Sequence, residues 1–425
     1  MKDVHLRNMK RKFIEQINTI RIFSLFLFIF LSACCIFVGC SRPEESNIEI
    51  TIIHGWGSSE KDHEIMRQIY ADFEKEHPEI KLNMISLPSD LDVIEKMREL
   101  LTVGKIPDIV FTAGEGKNTI YKFMTEHSYA LDLMPYLEED KNFKNNISPF
   151  ILKEWTTMQN NLYTVSDVLL MGGYWYNRTL FEQAGISSPP KTWDEFEMVC
   201  QKIEEKGKGT KPLLLDQTHI VHLTNAILHE EAPQELSNIE NSFINLQSEG
   251  VQTVLNRLKN LSSYSDTVNA YSFRDTLESF NQQKTAIYIN GIWGSSLIDP
   301  KINVAYAPFP SDSGNSVAMI SAGVGYILGN TGDEQQTNAS VEFLKYMLSK
   351  PVGERLLLET AQIPSNPNVV ITKDMVGERL YQALSCIKSA EVFIEFPANF
   401  WSRELQETYS ESVISYLNNN TPSIQ

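Results

Sequence analysis

Short apolar runs alternate with stretches of helical spacing from residue 48 onward. The run Ile48–His54 is rich in β-branched residues and predicts a strand. Apolar residues in 62–77 recur at helical spacing, and Pro78 ends that helix. The alternation continues with a strand at 81–87, a helix at 90–103 and a strand at 108–112. This order predicts an α/β fold with a parallel, helix-covered sheet, whose ligand would lie at the carboxyl ends of the strands.

The rest of the chain also mixes strands and helices. It predicts strands at 174–177, 286–289 and 303–307, one strand-like run over 316–328, helices at 192–206 and 334–348, and a mostly helical end over 393–417. There is no internal repeat or low-complexity tract. The chain has 425 residues, which is more than a domain with a single hydrophobic core usually contains, so two domains are expected.

The N-terminus has a different pattern. Basic residues precede an apolar run over 22–39, an arrangement typical of a signal peptide, although a transmembrane anchor is the alternative. Translation could start at Met1 or at Met9. The stretch ending in Cys40 resembles a bacterial lipobox and is followed by a polar tether. Taken in isolation, the stretch ending in Cys34 fits the lipobox pattern better, but cleavage there would leave apolar residues on the mature chain. We therefore expect lipidation at Cys40, with Cys34 as the alternative.

Charge and cysteine content restrict the class of protein. Removing residues 1–39 removes six positive and two negative charges, so the formal net charge changes from −17 to −21. So acidic a chain argues against nucleic acid as a partner. Only Cys200 and Cys386 follow residue 40, which gives no indication of a disulfide framework.

Sequence motifs for catalysis are absent. The chain has no G-x-x-x-x-G-K-[ST] phosphate loop and no G-x-S-x-G elbow, and His63-Glu64 lacks the second histidine of a zinc protease. His219, His222 and His229 cluster loosely, which favours core or helix-surface histidines over a metal site. We therefore expect no enzyme activity, no metal and no cofactor.

Three of the six tryptophans follow predicted strands or open a helix. Trp56 lies in His-Gly-Trp-Gly after the first strand, Trp293 lies in Asn-Gly-Ile-Trp-Gly after another, and Trp401 opens a C-terminal helix. Aromatic faces can stack on the C–H faces of sugar rings, while carboxylates and amides bind the hydroxyls. Tryptophans also simply pack in cores, so each position has both interpretations.

Several motifs occur in a characteristic order: GKIPDIV at 104–110, LDL with PYL at 131–137, YNRTLF with AGI at 176–186, PPKTWDEF at 189–196, FNQQKTAIYINGIW at 280–293, SAGVG at 321–325 and FLKY at 343–346. Together with a lipobox, this order resembles the carbohydrate-binding branch of the extracellular solute-binding proteins of ABC importers, the group of maltose-binding protein. The resemblance covers about residues 48–417.

The resemblance implies a type II periplasmic-binding-protein-like fold, with two hinge-linked lobes around a ligand cleft. The expected division is a signal peptide at 1–39, a lipidated cysteine and tether at 40–47, a first lobe at 48–167 with 314–362, and a second lobe at 168–313 with 363–425. The chain would cross between lobes near 166–169, near 313 and near 363. It would act as a lipid-anchored monomer on the outer face of the membrane and deliver its ligand to the permease subunits.

The candidate site residues follow from these motifs: Trp56, Glu60, Glu115, Asp167, Asn290, Trp293, Gly323 and Trp401. The sequence departs from the family after residue 111, where Glu115 is the one candidate, and after Tyr163, where the usual proline is missing. These departures leave the sugar undefined. A peptide, a polyamine or ferric ion remains an alternative ligand, and a ligand-presenting sensor or a secreted polysaccharide-active enzyme remains an alternative role.

Overall fold

A computed structural model describes residues 48–112, 116–117, 119–207 and 209–419, and Ile48–Gln425 forms one compact unit. The ten strands of the described part are β1 Ile48–His54, β2 Ile80–Ser86, β3 Ile109–Thr112, β4 Val168–Asn177, β5 Ile287–Gly291, β6 Val304–Ala307, β7 Val317–Ser321, β8 Gly325–Leu328, β9 Ile363–Pro364 and β10 Val392–Ile394. Within these ranges, none of the helices has the length and apolar character needed to cross a bilayer.

The helices of the first half of the described chain are α1 Lys61–Glu76, α2 Asp90–Thr102, α3 Ile120–Glu126, α4 Met134–Glu139, α5 Lys141–Asn145, α6 Pro149–Trp155, α7 Arg178–Gln183 and α8 Trp193–Lys206. Those of the second half are α9 Gln217–Glu231, α10 Glu235–Glu240, α11 Glu249–Ser262, α12 Phe273–Asn281, α13 Glu334–Met347, α14 Lys350–Thr360, α15 Lys373–Lys388, α16 Pro397–Phe400 and α17 Arg403–Asn419. A short 3₁₀ helix spans Ile292–Ser296.

The first sheet has the strand order β2-β1-β3-β8. β1 runs parallel to both β2 and β3, with Ile48 opposite Ile80 and Ile52 opposite Ile109, whereas β8 pairs with β3 in the antiparallel sense. The β-branched run of β1 is buried because helices cover the sheet. The parallel β-α-β-α-β arrangement predicted from the sequence is confirmed. We call this sheet, with α1–α6, α13 and α14, the first lobe.

The second sheet is organised around the ten-residue strand β4. Its order is β10-β7-β4-β5, and β6 and β9 also pair with β4. Two glycines in β4 allow its neighbours to approach closely. A Cβ at Gly172 would lie 2.6 Å from the ring of Phe396, and a Cβ at Gly173 would lie 2.4 Å from the carbonyl oxygen of Ala307. We call this sheet, with α7–α12 and α15–α17, the second lobe.

Each lobe has its own hydrophobic core. The first contains Phe73, Phe111 and Trp155, and the second contains Trp193, Phe196 and Trp401. The amphipathic helices supply these side chains at helical spacing, as in α8, where Thr192 accepts a hydrogen bond from the Glu195 backbone and caps the helix. The second lobe has a further buried cluster that contains Trp175, Phe280 and Leu384. More than one core is the arrangement expected for a chain of this length.

The strand-like run predicted over 316–328 is divided between the two sheets. Its first part, β7, pairs with β4 in the second lobe, and its second part, β8, pairs with β3 in the first lobe. Gly325, at φ +68°, permits the bend, since its missing Cβ would lie 2.4 Å from the carbonyl oxygen of Val165. The expected crossing near 313 is therefore wrong in position: the chain crosses at 322–324, and 314–321 belongs to the second lobe.

Candidate ligand-binding site

Three chain segments cross between the lobes, and hydrogen bonds join them. The backbones of Val165 and Tyr326 pair with each other, and the Thr164 hydroxyl donates to the carbonyls of Val324 and Tyr326. The Ser365 hydroxyl donates to the carbonyl oxygen of Ser166 at 2.6 Å, so the third crossing is fixed to the first. These bonds bring the residues on either side of the crossings to the junction of the lobes.

A series of buried hydrogen-bonded side chains connects aromatic residues of the first lobe to Asp167, which lies at the first crossing. The Tyr326 hydroxyl lies 3.0 Å from Asp167 Oδ2 and 3.1 Å from the Tyr70 hydroxyl. Trp56 continues the cluster, because its indole contacts the Tyr70 hydroxyl and its ring lies 5.1 Å from that of Phe111. One polar atom of this cluster, Asp167 Oδ1, is buried without a hydrogen-bond partner. This oxygen can therefore accept a further hydrogen bond.

Asp167 is 3% exposed. Burial raises the pKa of Asp167 to about 7, although the hydrogen bond from Tyr326 opposes the change. The carboxyl group is therefore protonated over much of the acidic range, and it can then donate as well as accept a hydrogen bond.

The other candidates at the junction have different surroundings. Glu60 is exposed; its carboxylate lies 3.9 Å from His63 Nε2 and 4.0 Å from Arg274 Nη2, and Arg274 belongs to the second lobe. Gly323 is buried in the second crossing segment. Glu115 lies outside the described residues. Asn290 is 4% exposed, and its side chain is bonded within the second lobe, donating to the Tyr288 hydroxyl at 2.8 Å and accepting from the Gly291 backbone at 2.8 Å.

The remaining two candidate tryptophans are both associated with the segment 396–401, which Trp293 contacts through Phe396 and which Trp401 ends. Trp293 is half-buried, and its ring lies 5.9 Å from that of Phe396. Trp401 is 1% exposed and belongs to the second core, with its ring 5.3 Å from that of Tyr409, and its Nε1 has no hydrogen-bond partner. Trp293 is thus the more accessible of the two for stacking, whereas Trp401 is mostly a packing residue in this conformation.

A cavity of about 380 Å³ opens beside Trp401, between the lobes. Thr119 contributes from the first lobe. The second lobe contributes the start of α9, residue 398, Trp401 and the start of α17, with side chains Gln217, Thr218, Val221, His222, Ala398, Arg403, Gln406 and Glu407. Its size is within the range of small-molecule sites. Hydroxyl, amide, imidazole and charged side chains therefore line the cavity together with Trp401.

The polar groups of the cavity are held in place by the second lobe. Gln217 Nε2 donates to the Ser410 hydroxyl at 2.8 Å, and Arg403 Nε donates to Glu407 Oε1 at 2.8 Å. Burial, with the nearby His219, lowers the pKa of His222 to about 3. His222 is therefore neutral at physiological pH, and the one arginine of the cavity is paired with a glutamate. The lining of this cavity therefore suits an uncharged ligand rich in hydroxyl groups better than an ionic ligand.

These two lobes, joined by three crossings and enclosing a polar cavity with an aromatic wall, define a binding protein. The family model for bacterial extracellular solute-binding proteins matches residues 57–354. The chain belongs to this family.

The curated relatives are similar over most of their length. The multiple sugar-binding protein of Streptococcus mutans serotype c is 24% identical over 334 residues, which cover 75% of this chain and 75% of the relative. The melibiose/raffinose/stachyose-binding protein of Bacillus subtilis is 24% identical over 364 residues, covering 81% and 80%. A Streptococcus pneumoniae solute-binding protein, solved with the blood group A-trisaccharide, has a TM-score of 0.75 at 22% identity and covers 88% of this chain and 96% of that one. The predicted two-lobed fold is confirmed.

Sequence reasoning did not select most of the cavity-lining residues. Of the predicted residues, Trp401 lines this cavity, whereas Gln217, Arg403 and Glu407 come from helix starts with no distinctive motif. One available signal was the Asp216–His219 pair, in which each side chain bonds to the other's backbone and marks the beginning of α9. It would have placed Gln217 and Thr218 at an exposed helix start.

Proposed function

We propose that this protein captures a mono- or oligosaccharide outside the cytoplasm and delivers it to the permease of an ABC importer, without catalysing a reaction. The observation that carries this proposal is the cavity between the lobes, which amide, hydroxyl and imidazole side chains line together with the edge of the buried Trp401 and in which Arg403 is paired with Glu407. The names of its relatives, which bind melibiose, raffinose, stachyose and other sugars, support the same class of ligand.

The proposal includes Trp56, Asp167 and Trp293 on the walls of the closing cleft. Asp167 presents a buried oxygen without a partner, Trp56 lies in the same cluster, and Trp293 presents a half-buried ring. Glu60, Glu115, Asn290 and Gly323 remain candidates from the sequence. We further propose that Cys40 carries the lipid that holds a monomeric protein at the outer face of the membrane. That cysteine lies outside the described residues.

A calorimetric titration series tests the ligand class. The chain beginning at Ile48 should bind at least one of raffinose, melibiose, stachyose, maltose or a chitin oligosaccharide, and should not bind spermidine, a short peptide or ferric citrate. Gln217→Ala should weaken sugar binding, whereas Gln201→Ala, an exposed glutamine bonded to Glu205 on the second lobe, should leave it unchanged. Binding of spermidine, peptide or iron with no response to any sugar would replace this proposal with the corresponding ligand.

A further inference from the structure

Glu154 lies at the end of α6, where it contacts the second lobe. Its neighbour Trp155 is buried in the first core and donates an indole hydrogen bond to the Ala322 carbonyl at 3.0 Å. The Glu154 carboxylate accepts hydrogen bonds from the Ser321 hydroxyl at 3.0 Å and from the Ala322 backbone at 3.2 Å. Glu154 is therefore fixed to the end of β7 and to the second crossing segment.

Glu154 also contacts a segment that belongs entirely to the second lobe. Asn399 Nδ2 donates to Glu154 Oε1 at 2.6 Å and also bonds to the Ser321 hydroxyl. Asn399 is 1% exposed and lies in α16, next to Phe400, which packs in the second core. The bond between Glu154 and Asn399 thus joins a helix anchored in one core to a helix anchored in the other, and it involves a charged acceptor.

A second first-lobe element contacts the same segment. The Lys117 backbone donates to the Asn399 carbonyl at 3.1 Å, and Gly116 lies so close to Ala398 that a Cβ would be 1.6 Å from its carbonyl oxygen. Two separate parts of the first lobe therefore hold residues 398 and 399. Any motion that separates residues 398 and 399 from the first lobe must therefore break both contacts.

We propose that the Glu154–Asn399 contact is a latch that stabilises the lobe arrangement of this structure against a more open one, so that Glu154 and Asn399 are positioning residues that set the balance between the two forms. A hydrogen bond to a charged group shifts such an equilibrium roughly tenfold or more. The latch rests on the two-lobed fold and on no particular ligand, so its test is independent of which solute the protein binds.

Small-angle X-ray scattering of the unliganded protein tests the latch. Residues Ile48–Gln425 form a compact unit with their own cores, so the chain beginning at Ile48 is the sample. Asn399→Ala should increase the radius of gyration relative to wild type, because the closed fraction falls. Glu154→Ala should do the same. Glu154→Gln, which keeps an amide oxygen able to accept from Asn399, should give a smaller increase.

Asn225→Ala is the matched control. Asn225 is an equally buried asparagine, 2% exposed, and its amide donates to the Glu395 carbonyl at 2.9 Å within the second lobe. It should lower the melting temperature without changing the radius of gyration. The double variant Glu154→Ala with Asn399→Ala should open by less than the sum of the two single effects, because the bond that both single variants remove is lost once. An unchanged radius in both single variants, or an equal increase in the Asn225 variant, would overturn the latch. If Asn399→Ala does not fold, the half-buried Glu154 gives the same test.

Discussion

Replacing Asp167 by asparagine should stabilise the protein at neutral and alkaline pH and have little effect at acidic pH. Asp167 is 3% exposed, and its one side-chain partner is the Tyr326 hydroxyl, which the carbonyl oxygen of asparagine can equally accept. The substitution keeps the shape and the hydrogen bond but removes the ionisable group. Any pH-dependent difference between the two proteins therefore reports on the ionisation of this single carboxyl group.

The magnitude follows from the pKa of Asp167. Burial raises it from 3.8 to about 7, and at about 1.4 kcal/mol per pH unit this change corresponds to about 4 kcal/mol. Below pH 4 both folded and unfolded chains carry the proton, so ionisation costs nothing. Between pH 4 and 7 the unfolded chain loses its proton while the folded chain keeps it, and stability falls as the pH rises. Above about pH 7 the loss is complete and constant.

Urea denaturation of wild type and Asp167→Asn at intervals from pH 4 to pH 8.5 measures this effect. The difference in unfolding free energy should be small at pH 4, grow in favour of the asparagine variant, and level off above pH 7. Asp374→Asn, at an exposed position, controls for the loss of one surface carboxylate. A flat difference curve, or an asparagine variant that loses stability relative to wild type as the pH rises, would refute the assignment of a buried, protonated carboxyl group.

Four further predictions concern other positions. Trp293→Ala should weaken sugar binding by roughly 2–4 kcal/mol in calorimetry, with a small change in melting temperature. Trp401→Ala should lower the free energy of unfolding by roughly 3–5 kcal/mol in denaturation, because its ring is buried in the second core. A Trp293 variant that binds normally but melts far lower would make that residue part of the core. Gly325→Ala should cost more than about 2 kcal/mol, since the residue has φ +68° and its Cβ would meet the Val165 carbonyl; an unchanged denaturation midpoint would contradict this. Mass spectrometry of the native N-terminus should find a diacylglyceryl group on Cys40; the same group on Cys34 would move the site, and an uncleaved N-terminus would exclude both.

Local pattern was sufficient to predict most of the secondary structure. The strand predicted over Ile48–His54 has the same bounds in the structure, and the helix predicted over 334–348 is Glu334–Met347. Both segments have apolar residues at one clear period and are bounded by capping or turn residues, as with Asp333, which caps the second of them. Such signals lie within a few residues of each other, so no tertiary information is needed to detect them.

The run 316–328 shows where local pattern is insufficient. Its β-branched and apolar residues predict one strand, but the tertiary structure places β7 and β8 in different sheets. Strand pairing depends on partners distant in the sequence, Met171 and Gly172 for β7 and Val110 for β8. The glycines at 323 and 325 indicated a close backbone approach, but they did not identify the neighbour that comes close.

The site divides in the same way. By itself, the sequence determined the family, the α/β class and a set of aromatic residues at strand ends. Only the tertiary structure decided that Trp401 is packed in a core, that Asp167 is a buried acid beside Tyr326, and that Thr119, Gln217 and Glu407 line one cavity. The physical reason is that burial, pKa and cavity lining depend on side chains from separate elements and on how closely the lobes approach each other. The spacing of residues along a single segment does not encode these properties.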